Sequence, residues 1–319
     1  MSTASQEPAT TTSVPIQTFV ALGPIDPNLV EPFLAPNQRL VLNPTDEDLA
    51  AADAAIVRAA FTVDAAMLDR MPALKVLART GVGTDLVDVT EAARRGIPVV
   101  ITPGTNTTSV AEGVFAHLLG TVKRLSTLTT LVRDGRWNER GAITVGDLDG
   151  ATLGIVGFGR IGSRVARIAT AFDLQVRAYD PYAAVPVDYR CETVEQLLAA
   201  SDFVTLHVPL TAENHHLIDA ARLSLMRPGG VLVNCSRGAL IDLDAAHDAL
   251  QDGRLAGLGL DVYDPEPPEH HPVFDHPNTV LTPHLMGFTQ RAMALTIQAA
   301  VEGAAAVLRG ERPLAVAAP

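Results

Sequence analysis

The sequence predicts an α/β protein built from two doubly wound parallel-sheet domains. Three observations carry that expectation. From Gln17 onward, short apolar runs alternate with helix-like patterns. A glycine-rich turn, Gly157-Phe158-Gly159-Arg160-Ile161-Gly162, lies between a strand-like run and a helical one. After Thr289 the pattern becomes purely helical, with no strand of its own to cover. At 319 residues the chain is too long for one ordinary core and comfortable for two.

In the first series, Gln17–Leu22, Ala54–Val57, Leu74–Ala78 and Pro98–Ile101 are short and apolar, as strands buried on both faces must be. Helical stretches at Asp46–Ala52 and Asp64–Arg70 separate them, giving the βαβ rhythm of a doubly wound sheet. A long helix is expected next. Ser109-Val110-Ala111-Glu112 reads as a capping box, and Val110, Val114, Leu118, Val122 and Leu125 recur at helical spacing up to Arg133, before Asp134-Gly135. From Asp147–Gly150 a second series begins, with strands at Thr152–Val156, Gln175–Tyr179, Phe203–Val208, Val231–Asn234, Gly257–Val262 and Thr279–Thr282. In the last helix Ile297, Ala300, Val301, Ala304, Val307 and Leu308 share one face, which needs a docking surface. Placing it on the first domain splits that domain into residues 16–108 and 290–319, around a second domain at 109–289. Residues 1–15, Ser/Thr/Ala-rich and without Lys or Arg, are expected to be a disordered tail and neither a signal nor a transit peptide.

Composition excludes several classes. The 24 basic and 36 acidic residues give a net charge of −12, against a general nucleic-acid binder. No run reaches the roughly 18–20 continuous apolar residues of a membrane span. Two cysteines, Cys191 and Cys235, point to a reduced, cytoplasmic protein without cysteine-built metal sites. His215, His216, His270, His271 and His276 read as solvated loop residues, and the proline-rich surroundings of the last three give no spacing that converges ligands, so no metal is expected.

A lone Gly-x-Gly-x-x-Gly is weak, but here Leu153–Val156 precedes it as a strand and Val165, Ile168, Ala169 and Phe172 follow as a helix. The first glycine permits the turn, the second lets the backbone approach a diphosphate, and the third allows close helix–strand packing. The helix N-terminus offers free N–H groups to that diphosphate. Asp180, eighteen residues after Gly162 at the next strand's end, suits the hydroxyls of an adenosine ribose and repels a 2′-phosphate, favouring NAD over NADP. It also suits a plain turn before Pro181.

Arg237, Glu266 and His284 each lie at or just beyond the end of a strand of the second series, where open α/β sheets bind ligands. An arginine fork grips a carboxylate and neighbouring carbonyl bidentately. A histidine protonates the alkoxide that hydride addition creates, and a carboxylate beside it favours the charged ring and fixes its tautomer.

The chain resembles the D-isomer-specific 2-hydroxyacid dehydrogenases from about Val20 to Leu308. The match runs through Arg79-Thr80-Gly81-Val82-Gly83, Asn106–Glu112, Arg133-Asp134-Gly135-Arg136-Trp137, Gly157–Gly162, Asn234-Cys235-Ser236-Arg237-Gly238, Leu260–Pro267 and Thr282-Pro283-His284. The resemblance implies a Rossmann NAD-binding domain inserted into a flavodoxin-like substrate domain, with substrate in the interdomain cleft. It implies Arg237, Glu266 and His284 as the catalytic set, Val82 and Gly83 amides for the substrate carboxylate, and Asp261 near the nicotinamide carboxamide. Arg160, Ile161, Pro181, His207 and Pro209 are further implied at the cofactor, with Cys235, Ser236 and Asn214, the last standing where a threonine is usual. A D product and a homodimer are implied as well. Within the family, Val57-Arg58 and Arg79-Thr80-Gly81 look most like the D-3-phosphoglycerate dehydrogenase branch, in which Arg58 and Arg79 would hold a substrate phosphate; pairing with a local acid is the alternative. Ala59 and Phe61 replace hydrogen-bonding residues of that branch, Leu285-Met286-Gly287-Phe288 is bulkier than the family's run, and no regulatory domain is expected after Pro319. Two other functions suit the same fold: an NAD-sensing corepressor-like binding protein, and oxidation of a non-carboxylate oxyanion such as phosphite. The complete Arg–Glu–His set favours an enzyme acting on a small anionic 2-hydroxy or 2-keto acid.

Overall fold

The computed structural model describes residues 15–58 and 60–318. Apart from Pro15, the tail expected over 1–15 lies outside the described residues, as does Ala59. The chain divides into two compact units, Met1–Thr105 with Met293–Pro319, and Asn106–Ala292.

The first unit holds β1 (Gln17–Leu22), β2 (Gln38–Val41), α1 (Asp46–Ala50), β3 (Ala54–Val57), α2 (Ala65–Asp69), β4 (Val76–Arg79), α3 (Val89–Arg94) and β5 (Val99–Val100). Its strands run parallel in the order β2-β1-β3-β4-β5. Because side chains alternate along a strand, both faces carry a core. Val20, Leu22, Ala55, Val57, Leu77 and Val99 pack on one side with α1 and α2 residues such as Leu49 and Leu68. Phe19, Ala54, Ile56, Val76, Ala78 and Val100 form the other. Thr45, Asp64 and Asp88 cap α1, α2 and α3 with their side chains, which is how such short helices start where they do.

The second unit contains α4 (Thr107–Val122), α5 (Leu125–Arg133), β6 (Thr152–Val156), α6 (Arg160–Ala171), β7 (Gln175–Tyr179), α7 (Val194–Ala200), β8 (Phe203–Leu206), α8 (Ala220–Leu225), β9 (Gly230–Asn234), α9 (Leu243–Gln251), β10 (Leu255–Leu260) and β11 (Thr279–Leu281). Its six parallel strands are ordered β11-β10-β9-β8-β6-β7. The order reverses at β6, with β7 on one side and β8 on the other, so a crevice opens at their carboxyl ends.

The final helix, α10 (Gln290–Leu308), places Ile297, Ala300, Val301 and Ala304, all at 0% exposure, against Phe19, Ile56 and Val76 of the first sheet. By length and composition alone this 19-residue helix, of mean hydropathy 1.2, would qualify to cross a membrane; here its apolar stripe is the covering of a sheet face.

Among the elements that the sequence reading did not single out are β2, an edge strand whose Gln38-Arg39-Leu40-Val41 is only half-buried, and the single-turn-and-a-half α3. Two expectations are corrected. The single helix ending at Arg133 is two helices, because Arg124 adopts a left-handed φ of 52° between α4 and α5. The Ser109–Glu112 capping box does not form: α4 starts at Thr107 with Asn106 as its N-cap, and Ser109 Oγ lies 2.9 Å from Thr289 Oγ1 instead. A buried tertiary partner outcompetes a local cap. Asp134-Gly135 does end α5, with Gly135 at φ 70°.

Candidate active site

The glycine turn follows β6 at the point where the sheet order reverses. Gly157 has φ 94°, and a Cβ there would lie 2.5 Å from the His207 carbonyl oxygen, just past β8. A Cβ on Gly162 would collide with the Gly157 carbonyl oxygen. Gly159, in contrast, has nothing within 4 Å of where its Cβ would be. Two glycines are therefore required by packing, and the middle one borders open space. Gly159 is also the N-cap of the 12-residue α6 and gives it no side-chain cap, so the first N–H groups of Arg160 and Ile161 remain available to a diphosphate. These residues fit a dinucleotide.

Asp180, immediately after β7, takes part in the turn itself. Its Oδ2 accepts the Phe158 N–H at 2.7 Å, and Oδ1 accepts those of Tyr182 and Ala183 at 2.8 Å each. Burial alone would raise the carboxyl, but the N–H donors of Ala183, Tyr182 and Phe158 outweigh it and hold Asp180 below its ordinary value. The turn reading of Asp180 is therefore realised, and its fixed negative charge also lines a hollow with Tyr179, Pro181, Arg190 and Glu192.

Three loops at the carboxyl edge of the same sheet, after β9, β10 and β11, carry the other expected residues. Arg237 follows β9; Asn234 Nδ2 donates to its carbonyl at 2.7 Å, and its Nη1 donates to the Ser236 carbonyl at 2.7 Å. Ser236 Oγ donates to the Val208 carbonyl at 2.6 Å, tying this loop to the one after β8. Gly238 exists for contact, since a Cβ there would collide with the Tyr263 carbonyl carbon in the loop after β10. That loop carries Glu266, flanked by the cis peptide bonds Asp264–Pro265 and Glu266–Pro267.

Glu266 Oε1 accepts the Tyr263 N–H at 3.0 Å, and Oε2 lies 2.7 Å from His284 Nδ1. Burial pushes the Glu266 carboxyl up, but the hydrogen bond from His284, that from Tyr263 and the nearby charges of His284 and Arg237 hold it below its ordinary value. An ionised carboxylate only accepts, so Nδ1 carries the hydrogen, and Nε2 is the ring nitrogen left able to exchange a proton. His284 has the left-handed φ of 54°, and its side chain is 42% exposed. Phe288 stands edge-on to its ring, with centroids 6.2 Å apart.

Around these, Asp261 is buried beneath the loop after β11, while Asn214 is committed to its own loop, donating from Nδ2 to the Pro209 carbonyl at 2.7 Å. Cys235 is a buried free thiol and His207 Nε2 lies 3.1 Å from Thr205 Oγ1. His215, His216 and His270 are exposed, but His271 and His276 are half-buried, a correction to their reading as solvated. Their Nδ1 atoms accept the N–H groups of Val273 and Asn278, local closures that a loop uses to satisfy its backbone. Among the described residues no group of three or more His, Cys, Asp or Glu side chains could hold a metal ion.

The remaining expected residues belong to the first unit. Arg58 follows β3 where the order of that sheet reverses, donating to Thr80 Oγ1 at 3.4 Å and lying against Met293 Sδ. Burial lowers its pKa, and no carboxylate among the described residues forms an ion pair with it. Arg79 ends β4, buried, with Nη1 donating to the Thr80 carbonyl at 3.1 Å; Val82 is exposed and Gly83 half-buried in the loop beyond.

Sequence reading gave no role to Thr282 and did not single out His117, whose signal was a histidine inside the apolar stripe of α4. Residues 115–286 match the family described as D-isomer specific 2-hydroxyacid dehydrogenase, NAD binding domain. The chain is 38% identical over 271 residues to a glyoxylate reductase of Thermococcus litoralis, covering 82% of each. It is 37% identical over 272 residues to a D-3-phosphoglycerate dehydrogenase of Bacillus subtilis, 84% of this chain but about half (51%) of that protein. The TT0316 protein of Thermus thermophilus superposes with a TM-score of 0.87 at 34% identity, over 95% of this chain and all of that one. The fold, the glycine turn and the extent of these matches agree: the chain belongs to the D-isomer specific 2-hydroxyacid dehydrogenase family.

Proposed function

We propose that the protein is an NAD-dependent dehydrogenase that transfers a hydride between nicotinamide and C2 of a small D-2-hydroxy acid or the corresponding 2-keto acid. The observation that carries this reading is the 2.7 Å contact between Glu266 Oε2 and His284 Nδ1, which leaves Nε2 as the proton-exchanging atom.

NAD, held by the Gly157–Gly162 turn, the α6 N-terminus and Asp180, supplies or accepts the hydride. The protein's own residues do the rest. The Arg237 guanidinium binds the substrate carboxylate and draws electron density from the neighbouring carbonyl. During reduction His284 Nε2 gives its proton to the oxygen developing at C2; during oxidation it takes that proton back. Glu266 stabilises the ring while it is charged and prevents it from turning. Arg58 supports a substrate with a second anionic group, because a half-buried guanidinium that pairs with no carboxylate among the described residues is a costly arrangement that an anion relieves.

The same reading extends to a homodimer in a reducing, cytoplasmic setting. Support for a dimer comes from Leu125, Val132, Trp137 and Val145, exposed apolar side chains within the one stretch 125–145; two free thiols suit the compartment.

The test mixes the purified protein with NADH and, in turn, glyoxylate, hydroxypyruvate, pyruvate and 3-phosphohydroxypyruvate, following cofactor absorbance. Turnover of at least one is expected. A preference for the phosphorylated acid that disappears in Arg58→Ala assigns the second anion to Arg58. No turnover of any 2-keto acid, with NADH still bound, would replace the enzyme by a cofactor-sensing scaffold.

A further inference from the structure

Helix α4 is seated closely on β10 and the loop after β11, and the His117 side chain sits in the middle of the contact. Residues 113, 117 and 121 recur one turn apart along one face. A Cβ on Gly113 would lie 2.5 Å from Met286 Cβ, a Cβ on Gly259 would lie 2.8 Å from His117 Cβ, and a Cβ on Gly257 would collide with Thr121 Cγ2. Helix and strand approach this closely only because glycine occupies one side of each contact.

His117, 1% exposed, places Nε2 2.9 Å from Thr282 Oγ1. The Thr282 hydroxyl hydrogen is already committed, donating to Asp261 Oδ1 at 2.6 Å. The threonine oxygen can therefore only accept from His117, which places the imidazole hydrogen on Nε2. Burial holds the His117 ring below its ordinary pKa, opposed in part by the charge of Asp261 and by the Val280 backbone carbonyl. Asp261, 2% exposed, takes two further donors: the Leu285 N–H at 2.9 Å and the Met286 N–H at 3.1 Å. These are the two peptide N–H groups immediately after His284, whose left-handed φ of 54° is a conformation that persists only when its surroundings over-determine it.

We propose that His117 is a positioning residue for His284: it locks Thr282 into donating to Asp261, and Asp261 then holds the backbone turn that aims the proton-exchanging ring. The catalytic consequence rests on the function proposed above; the structural consequence does not.

Because a small misplacement of a reacting group costs one to two orders of magnitude in rate, His117→Leu is expected to lower kcat about tenfold. NADH affinity, read by fluorescence, should stay within about twofold, since no cofactor contact is removed. His117→Gln, whose amide nitrogen reaches to about the position of Nε2, should recover most of the rate. A merely space-filling His117 predicts the reverse order, leucine being the better core residue. Unchanged kcat in the leucine variant, or a glutamine variant no better than leucine, overturns the proposal. Should His117→Leu not fold, Thr282→Val against Thr282→Ser asks the same question, with rescue expected only in serine. A second readout needs no turnover: the carbon-bound ring proton signals of His284, identified by their loss in His284→Asn, should shift in His117→Leu and return in His117→Gln. Absent activity in the unmodified protein would then count against the dehydrogenase reading alone, while an unshifted His284 signal would count against the positioning role.

Discussion

Replacing Glu266 by glutamine removes one charge and almost no volume, and the geometry dictates the result. Both carboxyl oxygens are occupied as acceptors, Oε1 by the Tyr263 N–H and Oε2 by His284 Nδ1. Glutamine has only one acceptor atom, so one of those contacts becomes a donor facing a donor. If the amide oxygen stays toward His284, the ring keeps its orientation but loses the charge that stabilises its protonated form. A hydrogen bond to a charged partner contributes about 1.5–3 kcal/mol, which converts to roughly ten- to 150-fold in rate. Glu266 and His284 are 38% and 42% exposed, so water screens the interaction and the low end applies. The expected outcome is a loss of roughly tenfold in kcat for 2-keto acid reduction, with NADH affinity retained. Rates are read from NADH absorbance, and a variant with its rate unmoved would remove Glu266 from the proton-transfer machinery.

Other consequences are equally direct. Gly162→Ala should fail to fold or lose several kcal/mol, because the added carbon meets the Gly157 carbonyl oxygen; Gly159→Ala, facing open space, should keep its melting temperature but bind NADH more weakly, as titration calorimetry would show. Equal loss of stability in both would mean that the middle glycine is not there for a ligand. Asp180→Ala should relax discrimination against NADP and also lower the melting temperature, since three N–H groups lose their acceptor; a change in cofactor preference with no loss of stability would contradict those three bonds. Asp180 and Glu266 are both held below their ordinary values of 3.8 and 4.5. Their contribution to stability is therefore complete above those values and is lost as pH falls below them through the folded-state values. Melting temperature measured against pH should show this acid-side decline, reduced in Asp180→Asn; an identical decline in that variant would assign it to other carboxyls.

The strands of the second sheet were legible because a strand covered on both faces must be apolar without interruption: β6 and β7 begin and end where the sequence predicts. β2 was not, because as a half-buried edge strand it needs no such run. The glycine turn was legible for a local reason, backbone and helix terminus being encoded within six residues. Arg237, Glu266 and His284 could be picked out one by one as polar residues after strands, yet nothing local says that they meet. That is set by the order β11-β10-β9, which lays their three loops side by side.

Pattern and spacing alone determined the α/β class, the dinucleotide turn and the chemical types at the site, since each depends on periodicity or on neighbours in the chain. Tertiary structure alone decided that Ser109 would leave its cap for Thr289, that Arg124 would break a helix, and that a histidine of α4 would reach Thr282, 165 positions away in the chain. Those outcomes depend on which buried donors and acceptors are brought face to face, and a linear sequence does not display that distance.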